Sequence, residues 1–165
     1  YLPEQTVEEA TTNQQSYRKW MAMQRLIVTP GAEIDFDLIK DDVASYSAMF
    51  LLKEVVYDPW RATQLAHQLQ KDGAKVVEMA QSARNMGAAF DELTSSLKGG
   101  RFHHDGDPVL EWMASNVVAR SVAKGLTLPS KEKSAQKIDG IVAITMALAR
   151  AMTQEPDKKY QALFI

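Results

Sequence analysis

Leu51-Leu52-Lys53-Glu54-Val55-Val56-Tyr57-Asp58-Pro59-Trp60 is the stretch that decides the fold. Leu51 to Tyr57 combines aliphatic, β-branched and aromatic residues, which suit a buried strand. Pro59 cannot continue a central ladder, so the strand ends at Asp58. Trp60 to Lys71 reads as a helix with Leu65, Ala66 and Leu69 inward, closed by Gly73. Lys75 to Met79, containing Val76 and Val77, is a second strand. Strand, helix, strand implies a parallel pair with a right-handed crossover. The fold class is therefore α/β with a mostly parallel central sheet flanked by helices. In such sheets functional groups gather beyond the carboxyl ends of strands, where Asp58 stands.

The flanking sequence fills out this frame. Thr11 to Met23 is helical in pattern, with Tyr17, Trp20 and Met21 on one face. Leu26 to Thr29 is a short apolar run that Pro30-Gly31 stops. Asp35 caps a helix over Phe36 to Met49, with Leu38, Ile39, Val43 and Tyr46 as apolar positions. Asn85 to Leu97 is a further helix. Asp107-Pro108 is a strong helix start, and that helix carries Leu110, Trp112 and Met113. Val117 to Val122 and Leu126 to Leu128 suggest a hairpin around Gly125. Ile138 to Met152 is the final long helix, with Ile141, Ile144, Leu148 and Met152 inward. Residues 1–152 form the domain and 153–165 a tail. Tyr1-Leu2-Pro3-Glu4 has no cap and reads as the continuation of something upstream.

Composition bounds the function. The 165 residues fit one domain, and 45% hydrophobic with 24% charged residues is ordinary for a globular protein. No apolar run approaches the roughly 18 residues of a membrane span. The absence of cysteine excludes disulfides, thiolate metal sites and cysteine nucleophiles. A net charge of -2 argues against a strongly basic nucleic-acid domain, although bound cations can offset a cluster of acids. No Walker motif and no G-x-S-x-G elbow is present.

Several residues carry candidate chemistry. Asp58 either caps the helix after it or points into the crevice to hold a divalent cation. Asp139, in Lys137-Ile138-Asp139-Gly140, either complements a helix dipole or projects into the same crevice. His103 and His104 are adjacent and make a poor zinc pair; a phosphate contact or a loop hydrogen bond suits them better. Lys124, Lys131, Lys133 and Lys137 surround Asp139 and read equally as a solvated loop or as contacts to a DNA backbone. Trp20, Trp60 and Trp112 read as core or interface anchors.

Taken together, these segments resemble the C-terminal nuclease domain of the large terminase subunit of tailed phages and prophages. The resemblance rests on Val28-Thr29-Pro30-Gly31, Tyr57-Asp58-Pro59-Trp60, His104-Asp105-Gly106-Asp107-Pro108-Val109-Leu110-Glu111-Trp112 and Lys137-Ile138-Asp139-Gly140, with Tyr1-Leu2-Pro3-Glu4 at the start. It implies a ribonuclease H-like fold and a Mg²⁺- or Mn²⁺-dependent endonuclease that cuts concatemeric double-stranded DNA during genome packaging. Asp58 and Asp139 would be catalytic metal ligands; Lys137, Lys131, Lys133 and His104 would contact DNA. The implied partners are a packaging ATPase domain upstream, the small terminase subunit and the portal, with no membrane, in the cytoplasm of the bacterial host. The family's third acid would lie upstream of Tyr1, leaving this segment N-terminally truncated and feeble alone. Asp105 and Asp107 depart from the family's Gly and Asn. The alternatives are a non-catalytic DNA- or portal-docking module of the packaging motor and, more weakly, a resolvase-like nuclease.

Overall fold

The computed structural model describes residues 1–60, 62–122 and 125–154. Its elements run β1 (Leu2–Pro3), α1 (Glu4–Glu8), α2 (Gln14–Ala22), β2 (Val28–Thr29), α3 (Phe36–Met49), β3 (Val55–Tyr57), α4 (Thr63–Lys71), β4 (Val76–Glu78), α5 (Ala83–Lys98), α6 (Pro108–Ser115), β5 (Ala119–Ser121), β6 (Thr127–Pro129) and α7 (Asp139–Ala151). The α/β class holds. The single mostly parallel central sheet does not: the described strands form three two-stranded sheets, β1–β2 and β3–β4 parallel and β5–β6 antiparallel. The predicted strand–helix–strand unit is β3–α4–β4, in register Val55 to Val76 and Tyr57 to Glu78.

β3 is shorter than its apolar run. Its ladder begins only at Val55, and Leu51 ahead of it is 74% exposed. The apolar positions assigned to α3 also stay near the surface, because no residue of that helix is buried. Asp35 does cap it, accepting from the Asp37 N–H at 2.9 Å. Asp107 caps α6 through the Val109 and Leu110 N–H groups at 2.8 and 3.0 Å, with Pro108 in the first turn as the sequence requires. Trp60 lies outside α4 and is 79% exposed, so it is no core anchor; Met21 and Met152 are likewise exposed.

The core is organised around α7. Ile138, Val142 and Met146 pack with Met79, Met86 and Leu128, and Val56 of β3 lies against this cluster. The other side of α7 carries Ile141 to Phe90 and Leu93 of α5. A third cluster joins Leu2, Val7, Tyr17 and Trp20 to Trp112, whose ring lies 5.2 Å from that of Trp20. Gly87 lets α5 approach the hairpin: a Cβ there would meet the Leu126 side chain at 2.9 Å.

An ion pair ties the far end of α7 to the start of β3. Arg150 donates twice to Glu54, and Lys75 reaches the same carboxylate at 3.2 Å. The Arg150 hydrogen bonds, opposed by burial and helped by Lys75, hold the Glu54 carboxyl at about 2 instead of 4.5. A depressed carboxylate contributes stability above its ordinary range and loses it as pH falls toward the folded value. Glu54→Ala should therefore cost about 1.5–3 kcal/mol at neutral pH, the scale of charged hydrogen bonds. In urea melts the gap from the parent should narrow as pH drops from 4.5 toward 2; a gap independent of pH would remove the ion pair as its source. Asp107→Ala should cost about 1 kcal/mol for the lost cap, read as a lower thermal midpoint, whereas Asp107→Asn should restore most of it.

Candidate metal centre

Asp58 follows β3 directly, and its carboxylate is held at both oxygens. Oδ1 accepts from the Trp60 N–H at 2.8 Å, and Oδ2 accepts from the Gln81 N–H at 3.1 Å. The first bond closes a turn within the segment, as aspartate side chains often do. The second exists because parallel strands end side by side, which brings the loop after β4 against the loop after β3. The helix-cap reading of Asp58 fails: Ala62 occupies the N-cap position of α4. Each oxygen retains acceptor capacity for another ligand.

Asp139 is the first residue of α7 and accepts at Oδ1 from Lys131 Nζ at 2.8 Å. Gly140 explains how this turn sits so close to α6. Its N–H points to Met113 Sδ at 3.1 Å, and a Cβ would meet that sulfur at 3.0 Å. The Lys-Ile-Asp-Gly motif thus buries Ile138 at 1% exposure, presses Gly140 onto α6 and leaves Asp139 accessible between them.

The two acids lie on neighbouring elements, because α7 packs against β3. Arg150 near the end of α7 meets Glu54 just before β3. From Glu54 to Asp58 the chain advances about 13 Å as strand, and from Arg150 back to Asp139 about 16 Å as helix. Both acids also connect to one cleft of ≈ 220 Å³, whose wall includes Gln81 and Lys131. Gln81 binds Asp58 and Lys131 binds Asp139. Asp139, Lys131 and Lys137 border a second hollow of ≈ 320 Å³, and Lys133 is exposed nearby in sequence. Lys124 lies outside the described residues.

His104 is placed differently. Its Nδ1 accepts from the Gly106 N–H at 3.1 Å, its ring lies 6.3 Å from that of Phe102, and it borders an apolar hollow with Phe90, Leu110 and Ile141. That hollow shares no wall residue with the cleft or with the hollow at Lys137. Asp105 and Asp107 pair with Arg25 at 2.7 and 3.5 Å, which ties that loop to the turn after α2. Among the described residues no three His, Asp or Glu side chains gather to hold a metal ion. Asp58 and Asp139 offer hard oxygen donors, which fit Mg²⁺ or Mn²⁺ completed by water and phosphate oxygens. Gln81 and Arg120, which line the cleft, were missed in the sequence; the strand-end rule that found Asp58 applies equally to Gln81 beyond β4.

The model of the terminase large subunit endonuclease domain matches residues 1–155. Protein YmfN of Escherichia coli (strain K12) is 34% identical over 164 residues, 95% of this chain and 36% of its own length. The large terminase subunit of Enterobacteria phage HK97 is 34% identical over 154 residues, 92% of this chain and 31% of its own. The crystal structure of the HK97 bacteriophage large terminase superposes with a TM-score of 0.78 at 32% identity, over 90% of this chain and 32% of that one. The chain thus spans about a third of the length of the curated relatives it matches. It belongs to the family of terminase large subunit endonuclease domains.

Proposed function

We propose that this chain is the metal-dependent endonuclease domain of a phage large terminase subunit, cutting concatemeric double-stranded DNA during genome packaging. The observation that supports the reading is that Asp58 accepts from Gln81 and Asp139 from Lys131, two residues that line one cleft. Asp58 and Asp139 would hold Mg²⁺ or Mn²⁺, which when bound supplies an activated water and polarises the scissile phosphate. Asp58 is oriented in advance by two backbone N–H groups. Lys131 keeps Asp139 charge-balanced, and the exposed Lys133 and Lys137 face the DNA backbone in this reading. His104, turned to the apolar hollow, orders its own loop and plays a lesser part.

In this reading the domain lies C-terminal to a packaging ATPase domain and adopts a ribonuclease H-like arrangement. The small terminase subunit and the portal would be its partners, in the cytoplasm of the bacterial host. No helix among the described residues is long and apolar enough to cross a membrane.

A second reading, a non-catalytic DNA- or portal-docking module, draws on the lack of a three-residue metal group among the described residues. Metal binding separates the two. Mn²⁺ should raise the thermal midpoint of the chain by mass action, and Asp58→Asn or Asp139→Asn should abolish the rise; no rise in the parent would favour the docking module. With plasmid and Mn²⁺ the chain alone should nick feebly, and either variant should lower that rate at least about 10–100-fold, the loss that even outer-shell changes bring to metal sites. Nicking untouched by both substitutions would remove these acids from the site.

A further inference from the structure

Arg120 is the middle residue of β5 and faces Leu128 across the hairpin. Directly opposed residues of an antiparallel pair project to the same face. Leu128 enters the α7 core cluster, whereas Arg120 is exposed and lines the ≈ 220 Å³ cleft beside Gln81, Ser130 and Lys131. The hairpin is anchored, because Leu126 sits against Gly87 of α5 and the Val122 N–H donates to Leu126 O at 2.8 Å. Arg120 is therefore presented by a fixed element. No acid forms an ion pair with it among the described residues. The cleft wall carries two cations, Arg120 and Lys131, against one carboxylate, Glu132.

We infer that Arg120, with Lys131, binds a backbone phosphate of the DNA strand in this cleft, next to the two acids; this rests on the nuclease reading. A guanidinium presents its N–H donors in a planar fork that matches two phosphate oxygens. Lys131 bonds Asp139 at 2.8 Å, which places the phosphate position beside that acid. Asp58 reaches the same wall through Gln81. The cleft thus holds the strand in register with the acids through its backbone, which sets position and carries no base sequence.

The test is fluorescence anisotropy of a labelled mixed-sequence duplex with the whole chain in EDTA, across about 50 to 200 mM salt. Arg120→Gln should weaken binding roughly five- to tenfold at the low-salt end and reduce the slope of log K against log salt by about 1. Arg120→Lys should recover most of the affinity. Lys40→Gln, on α3 away from the cleft, should bind as the parent does. Three outcomes overturn the inference: no salt-dependent binding by the parent, Arg120→Gln within twofold of the parent at an unchanged slope, or an equal loss in Lys40→Gln. Because binding is read without metal, the nuclease reading fails separately. Nicking that ignores Asp58→Asn while Arg120-dependent binding persists counts against the cutting alone.

Discussion

The packing of α7 against α5, α6 and β3 is the constraint on which the rest of the molecule depends. One face of the helix, through Ile138, Val142 and Met146, closes the cluster that receives Val56, Met79 and Leu128. The next, through Ile141, takes up Phe90 and Leu93. Sheet pairs of two or three residues cannot stand alone in water. Here the helices supply the cover, with α7 in contact with β3, α5 and α6. The Arg150–Glu54 pair then ties the far end of α7 to the residue just before β3.

Much of this was legible in residue order. The β3–α4–β4 unit followed from Val55-Val56-Tyr57, Pro59, Gly73 and Val76-Val77. The caps at Asp35 and Asp107 followed from short polar side chains ahead of apolar periodicity, and Gly125 marked the hairpin turn. These are local signals, and local chemistry enforces them. Asp58 was singled out by the rule that strand ends collect function, and the structure puts Ala62 in the helix-cap position that competed with that reading.

What failed was tertiary in origin. Leu51-Leu52 reads as strand by composition, but a strand needs a partner, and the ladder with β4 begins at Val55. Leu38, Tyr46 and Trp60 read as inward by periodicity or bulk, yet burial requires another element to cover them, and periodicity is silent on that. The place of His104 was equally invisible, because a loop residue has no periodicity to show which neighbours it meets. The fold turns it toward Phe90, Leu110 and Ile141. Arg120 carries no signal in its own strand and gains meaning only when the hairpin is laid against α5 and the 130–132 loop.

The manner in which Asp58 is held has a consequence for how such a sequence drifts. Both donors to its carboxylate are main-chain N–H groups, at Trp60 and Gln81. Every amino acid but one supplies that donor, so a change of side chain at either position leaves both hydrogen bonds to the acid available. Proline alone lacks the N–H. The hold on Asp58 itself should therefore survive any replacement at positions 60 and 81 but one, apart from what the Gln81 side chain contributes to the cleft it lines.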